Sequence, residues 1–139
     1  MVYILDEGSE FNASLQKIWE FNKRHAEHPH PSMPNAKMEP AGENAFMMSW
    51  ENEMQGRKIR NKAKITLYPP FGEVMEVLDG PLAGSKSFQY YVPKGNKTGV
   101  TVVGEWKSPV LADDQLKKAV LSFLETAFNE DVAALAKMR

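Results

Sequence analysis

Three histidines, His25, His28 and His30, stand close together in a segment interrupted by Pro29, Pro31 and Pro34. Neutral imidazole is a common metal ligand. Here no carboxylate or cysteine falls at a recognised ligand spacing, and the prolines restrain the later rings without directing them to one point. The segment reads as a solvent-facing His-Pro loop at the rim of an interior, and no metal is assigned. Glu73 and Glu76 lie on opposite faces of one strand, so one of them can face inward as a general acid or base, and Asp79 and Glu105 are further options. Lone carboxylates are seldom buried, so an outer-face or loop position is the default for each. The facing of Glu73, Glu76 and Glu105 stays open. Lys58, Arg60, Lys62 and Lys64 form a basic row with about 6.6–6.8 Å between members. Glu51 and Glu53 would oppose two of them and no aromatic residues interleave for base stacking, so a solvated face is expected and no nucleic acid. No Ser/His/Asp grouping, phosphate-cradling glycine loop or dinucleotide fingerprint is present. No cofactor is expected, and no catalytic residue is assigned.

Composition sets the frame that must position any site. The 139 residues, with 42% hydrophobic and 25% charged content, suit one domain, residues 1–139, with a real core. Seventeen basic against eighteen acidic side chains give a net charge of -1, so no global field draws the chain to nucleic acid or an anionic membrane. The absence of cysteine excludes disulfides, a thiolate nucleophile and Cys-ligated metal. No apolar run approaches the ~18 residues of a spanning helix, and no basic region precedes the short apolar start. A cytoplasmic protein without stable membrane insertion is expected.

Val2 to Leu5 reads as a strand and the polar residues 6–10 as a turn. Asn12 is a candidate cap for a helix from Ala13 to about Arg24, with Leu15, Ile18 and Trp19 on its apolar face. A second short helix can precede the proline-rich break. From Lys37 to Ser108 the period is two, with glycine and proline punctuation, giving a meander of about six strands. If Gln55-Gly56 form a two-residue loop, opposed positions sum to 111 by arithmetic. Trp50 then faces Asn61, Met48 faces Ala63 and Phe46 faces Ile65 on one side, while Glu53–Lys58, Glu51–Arg60 and Ser49–Lys62 pair on the other. A single register separates an apolar face from a charged one. A later hairpin turns through Pro93-Lys94-Gly95-Asn96 and is expected to put Phe88, Tyr90 and Val92 on the face of Val100, Val102 and Trp106, with Ser87 and Gln89 opposite. After Pro109 the period returns to 3.6, with Asp113 as candidate cap. The apolar arc of Leu116, Val120, Phe123, Ala127 and Phe128, joined by Leu121, Leu124, Val132 and Leu135, marks a deeply packed helix of roughly 35 Å.

This order of elements resembles the START-like, or SRPBCC, superfamily over nearly the whole chain. Asn12-Ala13-Ser14-Leu15-Gln16-Lys17-Ile18-Trp19 is similar to its opening helix, and His25-Ala26-Glu27-His28-Pro29 to its loop after the second helix. Gly80-Pro81-Leu82-Ala83-Gly84 through Thr98-Gly99-Val100-Thr101-Val102 is similar to its late hairpin. The resemblance implies an α+β helix-grip fold: a curved antiparallel sheet around a long C-terminal helix, with two short helices after the first strand. It also implies function in an internal cavity, since members bind lipids, sterols, hormones or polyketides, and some act as cyclases, hydrolases or chaperone activators.

A sheet wrapped around one helix cannot touch it everywhere, so a pocket with mainly apolar walls is expected. Its candidate lining is Trp19, Phe46, Met48, Trp50, Ile59, Asn61, Ala63, Ile65, Phe88, Tyr90 and Trp106 under a ceiling of Phe123, Ala127 and Phe128, with Asn61 and Tyr90 as the hydrogen-bonding groups. The bland reading of each is ordinary core packing. The expectation is a monomer or weak homodimer that binds a small hydrophobic or amphipathic ligand for transport, sequestration or sensing. The alternatives are a cofactor-independent cyclase or hydrolase using the same cavity, and an interaction module acting through a contiguous apolar patch on its outer face.

Overall fold

The computed structural model describes residues 1–24, 30–54 and 56–138. The elements are β1 (Val2–Phe11), α1 (Leu15–Lys23), β2 (Lys37–Gly42), β3 (Ala45–Met54), β4 (Arg57–Tyr68), β5 (Gly72–Asp79), β6 (Lys86–Lys94), β7 (Lys97–Trp106) and α2 (Asp113–Lys137). The strands form one antiparallel sheet in the order β1-β7-β6-β5-β4-β3-β2, and α2 packs on its concave face. This is the α+β helix-grip arrangement that the period changes imply. Of the two short helices expected, α1 is present and residues 30–36 form turns. The expected second helix, with His25 and His28, falls largely at residues 25–29, outside the described residues.

Local chemistry moves three boundaries. Ser14, not Asn12, caps α1: it is extended and its hydroxyl accepts from the Lys17 amide at 3.3 Å. The polar residues 6–10 are not a turn but continue β1 along β7, through a register shift between Asp6 and Ser9 where Gly8 takes φ 96°. Asp113 is the first residue of α2 rather than its cap, and its carboxylate instead holds the N-terminal ammonium at 2.6 Å.

The β3–β4 hairpin has the expected register, from Met54 opposite Arg57 through Trp50–Asn61 and Met48–Ala63 to Phe46–Ile65. The β6–β7 hairpin overturns its expectation. Lys94 faces Lys97, leaving Gly95-Asn96 as a two-residue loop with Gly95 at φ 67°. Opposed positions then sum to an odd number, so Ser87, Gln89 and Tyr91 share the concave face with Gly104, Val102 and Val100. Phe88, Tyr90 and Val92 point to the convex side. One residue of register turned the whole strand over.

Helix α2 links three apolar clusters. Leu116 and Val120 pack with Ile4 and Trp106; Phe123 meets the group of Met33, Met48, Trp50, Ala63 and Ile65; Leu135 and Met138 close on Phe11, Ile18, Trp19, Phe21 and Tyr91. The Phe128 ring lies 4.7 Å from that of Phe11. Helix α1 is fixed by the Trp19 indole, which donates to the Pro70 carbonyl at 3.1 Å, and by the buried Thr98 hydroxyl, which donates to the Ala13 carbonyl at 2.8 Å.

Candidate functional site: a cavity with a polar end

Between the clusters, the concave wall and α2 part around a cavity of about 120 Å³. Its walls are apolar on three sides: Phe46 and Met48 from β3, Ile65 and Leu67 from β4, Met75 from β5, and Phe123, Leu124 and Ala127 from α2. The space exists because the inward row along the sheet becomes small at Ser87, while Ala127 offers only a methyl group from above. The volume is below the ~300 Å³ at which small-molecule sites usually begin and near the ~150 Å³ that accepts one benzene ring.

The remaining wall is polar. Row by row, Val102, Gln89, Glu73 and Leu67 lie opposite one another on β7, β6, β5 and β4, which sets Glu73 and Gln89 side by side on the inner face. The Gln89 amide nitrogen donates to Glu73 Oε1 at 3.3 Å and to the Tyr91 hydroxyl at 2.9 Å, and Asn22 of α1 donates to the same hydroxyl at 3.2 Å. Having accepted two hydrogen bonds, the phenol keeps its own proton to donate. Burial, with the charge of nearby Asp131, pushes the Glu73 carboxyl up to about 7. Burial and the Glu73 charge also raise the Tyr91 phenol, against the opposing pull of Asn22 and Gln89. The wall therefore offers a carboxyl that exchanges its proton near neutrality beside a phenol that stays protonated.

His30 closes the mouth. It is buried rather than solvent-facing, with Nδ1 at 3.0 Å from Glu130 and Nε2 at 3.1 Å from Asp131 on α2. Glu130 also accepts from the Ser32 amide at 2.8 Å and from its hydroxyl at 2.5 Å. Burial alone would lower the His30 pKa, but the hydrogen bonds and charges of Asp131 and Glu130 outweigh it and hold it above the usual value.

Of the expected lining, Phe46, Met48, Ile65, Phe123 and Ala127 face this cavity. Phe128 turns toward Phe11 beside it. Trp19, Trp50, Ala63 and Trp106 are buried in the surrounding clusters, and Ala63 is packed so fully that a substitution there would probe the core and not the cavity. Asn61 donates to Asn52 Oδ1 at 2.9 Å instead of facing a ligand, and Ile59 is half-buried farther out along β4. Phe88 and Tyr90 are on the convex face, as are Glu76 and Glu105, the latter 3.3 Å from Lys107. Glu73 is the inward carboxylate left open by sequence. Ser87, Gln89 and Tyr91 were missed with the β6 register, and the two-residue Gly95-Asn96 loop was the signal that would have found them. Asn22 and Asp131 had no signal, because helices bring them to the mouth from distant parts of the chain.

The fold is that of START-like, helix-grip proteins. The chain is similar to the Zhui aromatase/cyclase from Streptomyces sp. R1128, with a TM-score of 0.79 at 11% identity over 98% of this chain and 94% of that one. A conserved protein from Geobacillus kaustophilus gives 0.77 at 14% identity over 98% and 96%, and Ara h 8.0201 gives 0.71 at 13% identity over 99% of each chain. No protein-family model and no curated protein sequence matches the chain. Among the described residues, no helix is long and apolar enough to cross a membrane.

Proposed function

We propose that the protein binds a small carbonyl- or hydroxyl-bearing molecule, about one ring or a short acyl chain in size, between the concave sheet and α2. The observation that carries this reading is an apolar cavity of about 120 Å³ ending on the hydrogen-bonded set of Glu73, Gln89 and Tyr91. The apolar walls supply affinity at about 0.8 kcal/mol per buried methylene, and the Tyr91 proton selects an acceptor at one end. Native mass spectrometry of protein from its own source tests the reading by a retained small mass. For the recombinant protein, acetophenone should shift the amide resonances of Ser87, Gln89 and Tyr91, palmitate should not, and Ala127→Phe should abolish the response in a folded protein. Equal responses in wild type and Ala127→Phe would refute this placement.

A second reading is favoured by the Glu73 carboxyl at about 7. In its ionised form Glu73 can take a proton from a carbon beside a carbonyl, while Tyr91 donates a hydrogen bond to the enolate oxygen that forms. The proton returns to the same or another carbon, so no cofactor enters. Deuterium exchange at the central carbon of acetylacetone, read by NMR, should be accelerated by the wild type with a rise through pH ~7 and lost in Glu73→Gln. Exchange unchanged by that substitution leaves binding alone.

A further inference from the structure

The convex side of the sheet is unlike a solvated outer face. Register places Leu5, Val103, Phe88, Val74, Thr66 and Ala45 in one row across β1, β7, β6, β5, β4 and β3. On one side runs a row of alternating charge, Glu105, Lys86, Glu76 and Lys64. On the other run Thr101, Tyr90, Gly72 and Tyr68. Leu5 is 61% exposed, Val103 41%, Phe88 37%, Tyr90 45% and Tyr68 54%. The Phe88 and Tyr90 rings stack at 6.1 Å, with the Lys86 ammonium 5.8 Å from the Phe88 ring. Val74 on β5 is only 7% exposed, so the exposed apolar surface runs over β1, β7 and β6 beside a lower floor at β5, and a band of this kind marks an interaction surface.

Two patterns in the rows say what covers it. Reversed about a line between β5 and β6, the charge order changes sign at every position. Glu105 meets a lysine, and Lys86 meets a glutamate. Size reverses with it: Phe88 falls on Val74, Leu5 on Ala45, Tyr90 on Gly72 and Tyr68 on Thr101. A two-fold axis lying along the strands performs this reversal when two sheets pack face to face, and large side chains opposite small ones are what such a layer needs to interdigitate. Among the described residues no ion pair joins Lys64, Glu76 and Lys86 to one another, while Glu105 lies 3.3 Å from Lys107, so the Lys86–Glu76 pairing nearest the axis carries most of the complementarity. A net charge of -1 leaves little repulsion between copies.

We propose that a second copy of this chain docks on the convex face about a two-fold axis between β5 and β6, with Lys86 against Glu76 of the partner subunit, Glu105 against the partner's Lys64, and Phe88 and Tyr90 seated over the partner's Val74 and the partner's Gly72. Two convex surfaces meet most closely at the axis, where Phe88 and Lys86 lie, so the dimer is of modest affinity and its occupancy rises with concentration.

Sedimentation equilibrium from ~1 to ~500 µM, the range in which modest interfaces dissociate, should show a monomer–dimer equilibrium. Lys86→Glu or Glu76→Lys alone should raise the dissociation constant about tenfold or more, the double exchange should recover it, and Phe88→Asp should leave a folded monomer by circular dichroism. Glu76 and Lys86 also oppose each other within one sheet, so the exchange of Glu105 and Lys64, which are not paired within one chain, separates an interface effect from damage to folding: Glu105→Lys with Lys64→Glu should recover the dimer weakened in either single variant. A monomer at every concentration, a dimer untouched by Phe88→Asp, or a double exchange no better than the singles would overturn the proposal.

Discussion

Glu73 is the only ionisable side chain that β5 turns toward the cavity, and burial there raises its carboxyl into the neutral range. Its carboxyl lies at about 7 in the fold against an ordinary 4.5. Below pH 4.5 both folded and unfolded chains hold the proton and the group contributes nothing to their difference. Between 4.5 and 7 the unfolded chain ionises while the folded one keeps the proton, so stability falls as pH rises, and above 7 the loss is complete at roughly 3 kcal/mol. Urea unfolding of Glu73→Gln should therefore match the wild type at pH 4 and exceed it at pH 8 by up to about that amount. A constant difference at both pH values would show that the carboxyl is not held neutral. Gly104 acts through space alone. A Cβ there would stand 2.6 Å from Trp106 Nε1, 2.9 Å from Ser87 Cβ and 3.0 Å from the Lys86 carbonyl. The last of these is backbone and cannot swing aside. Gly104→Ala should thus destabilise by about 1–3 kcal/mol through overpacking, and wild-type stability in that variant would show that β6 and the Trp106 ring both shift to make room.

At the scale of elements, the turn at residues 30–33 is tied to the last third of α2 by four contacts from His30 and Ser32 to Glu130 and Asp131. The pKa of His30 is raised, so its contribution is full below 6.5 and is lost as pH rises through the folded value. Burial would raise Glu130, but its hydrogen bonds from Ser32 and its contact with His30 lower it, so its contribution is present above 4.5 and is lost as pH falls through the folded value. The tie is strongest in mildly acidic to neutral solution. Because Asp131 also acts on Glu73, Asp131→Asn should lower the titration of both His30 and Glu73, followed by imidazole and carboxyl resonances. A His30 titration that stays in place would remove Asp131 from the tie. Elements also mark the boundary of what sequence discloses. The β3–β4 register was readable because the apolar positions Phe46, Met48 and Trp50 and the charged positions Glu51 and Glu53 each accept one pairing. In β6 both faces are aromatic, Phe88 and Tyr90 on one and Tyr91 on the other, so period two carries no sign and the loop length decides. The Glu73–Gln89–Tyr91 wall was hidden by that same ambiguity. The His30 tie spans a hundred residues, which no local pattern encodes.

Over the whole molecule, α2 runs past three clusters that the sheet also bridges, through Leu67 between the first and second and Met75 between the second and third. Each cluster holds one tryptophan: Trp19 with Leu135, Trp50 with Phe123 against it, and Trp106 with Val120. Val120 and Leu135 are separated along the helix by about 22 Å, beyond the reach of any direct contact. If the sheet alone held the ends together, a cavity made at Leu135 would loosen the Trp19 cluster and leave the Trp106 cluster at its own stability. If α2 couples them, the ends can only unfold together. Three proteins that retain a single tryptophan each, the other two replaced by Phe, resolve this by fluorescence during urea unfolding. Within each, the fluorescence midpoint should coincide with that of far-UV circular dichroism. Adding Leu135→Ala should lower stability by about 2–5 kcal/mol and shift the Trp106 transition as far as the Trp19 transition. A Trp106 midpoint that stays in place while that of Trp19 moves would divide the fold into two units and leave the cavity between them without a rigid roof.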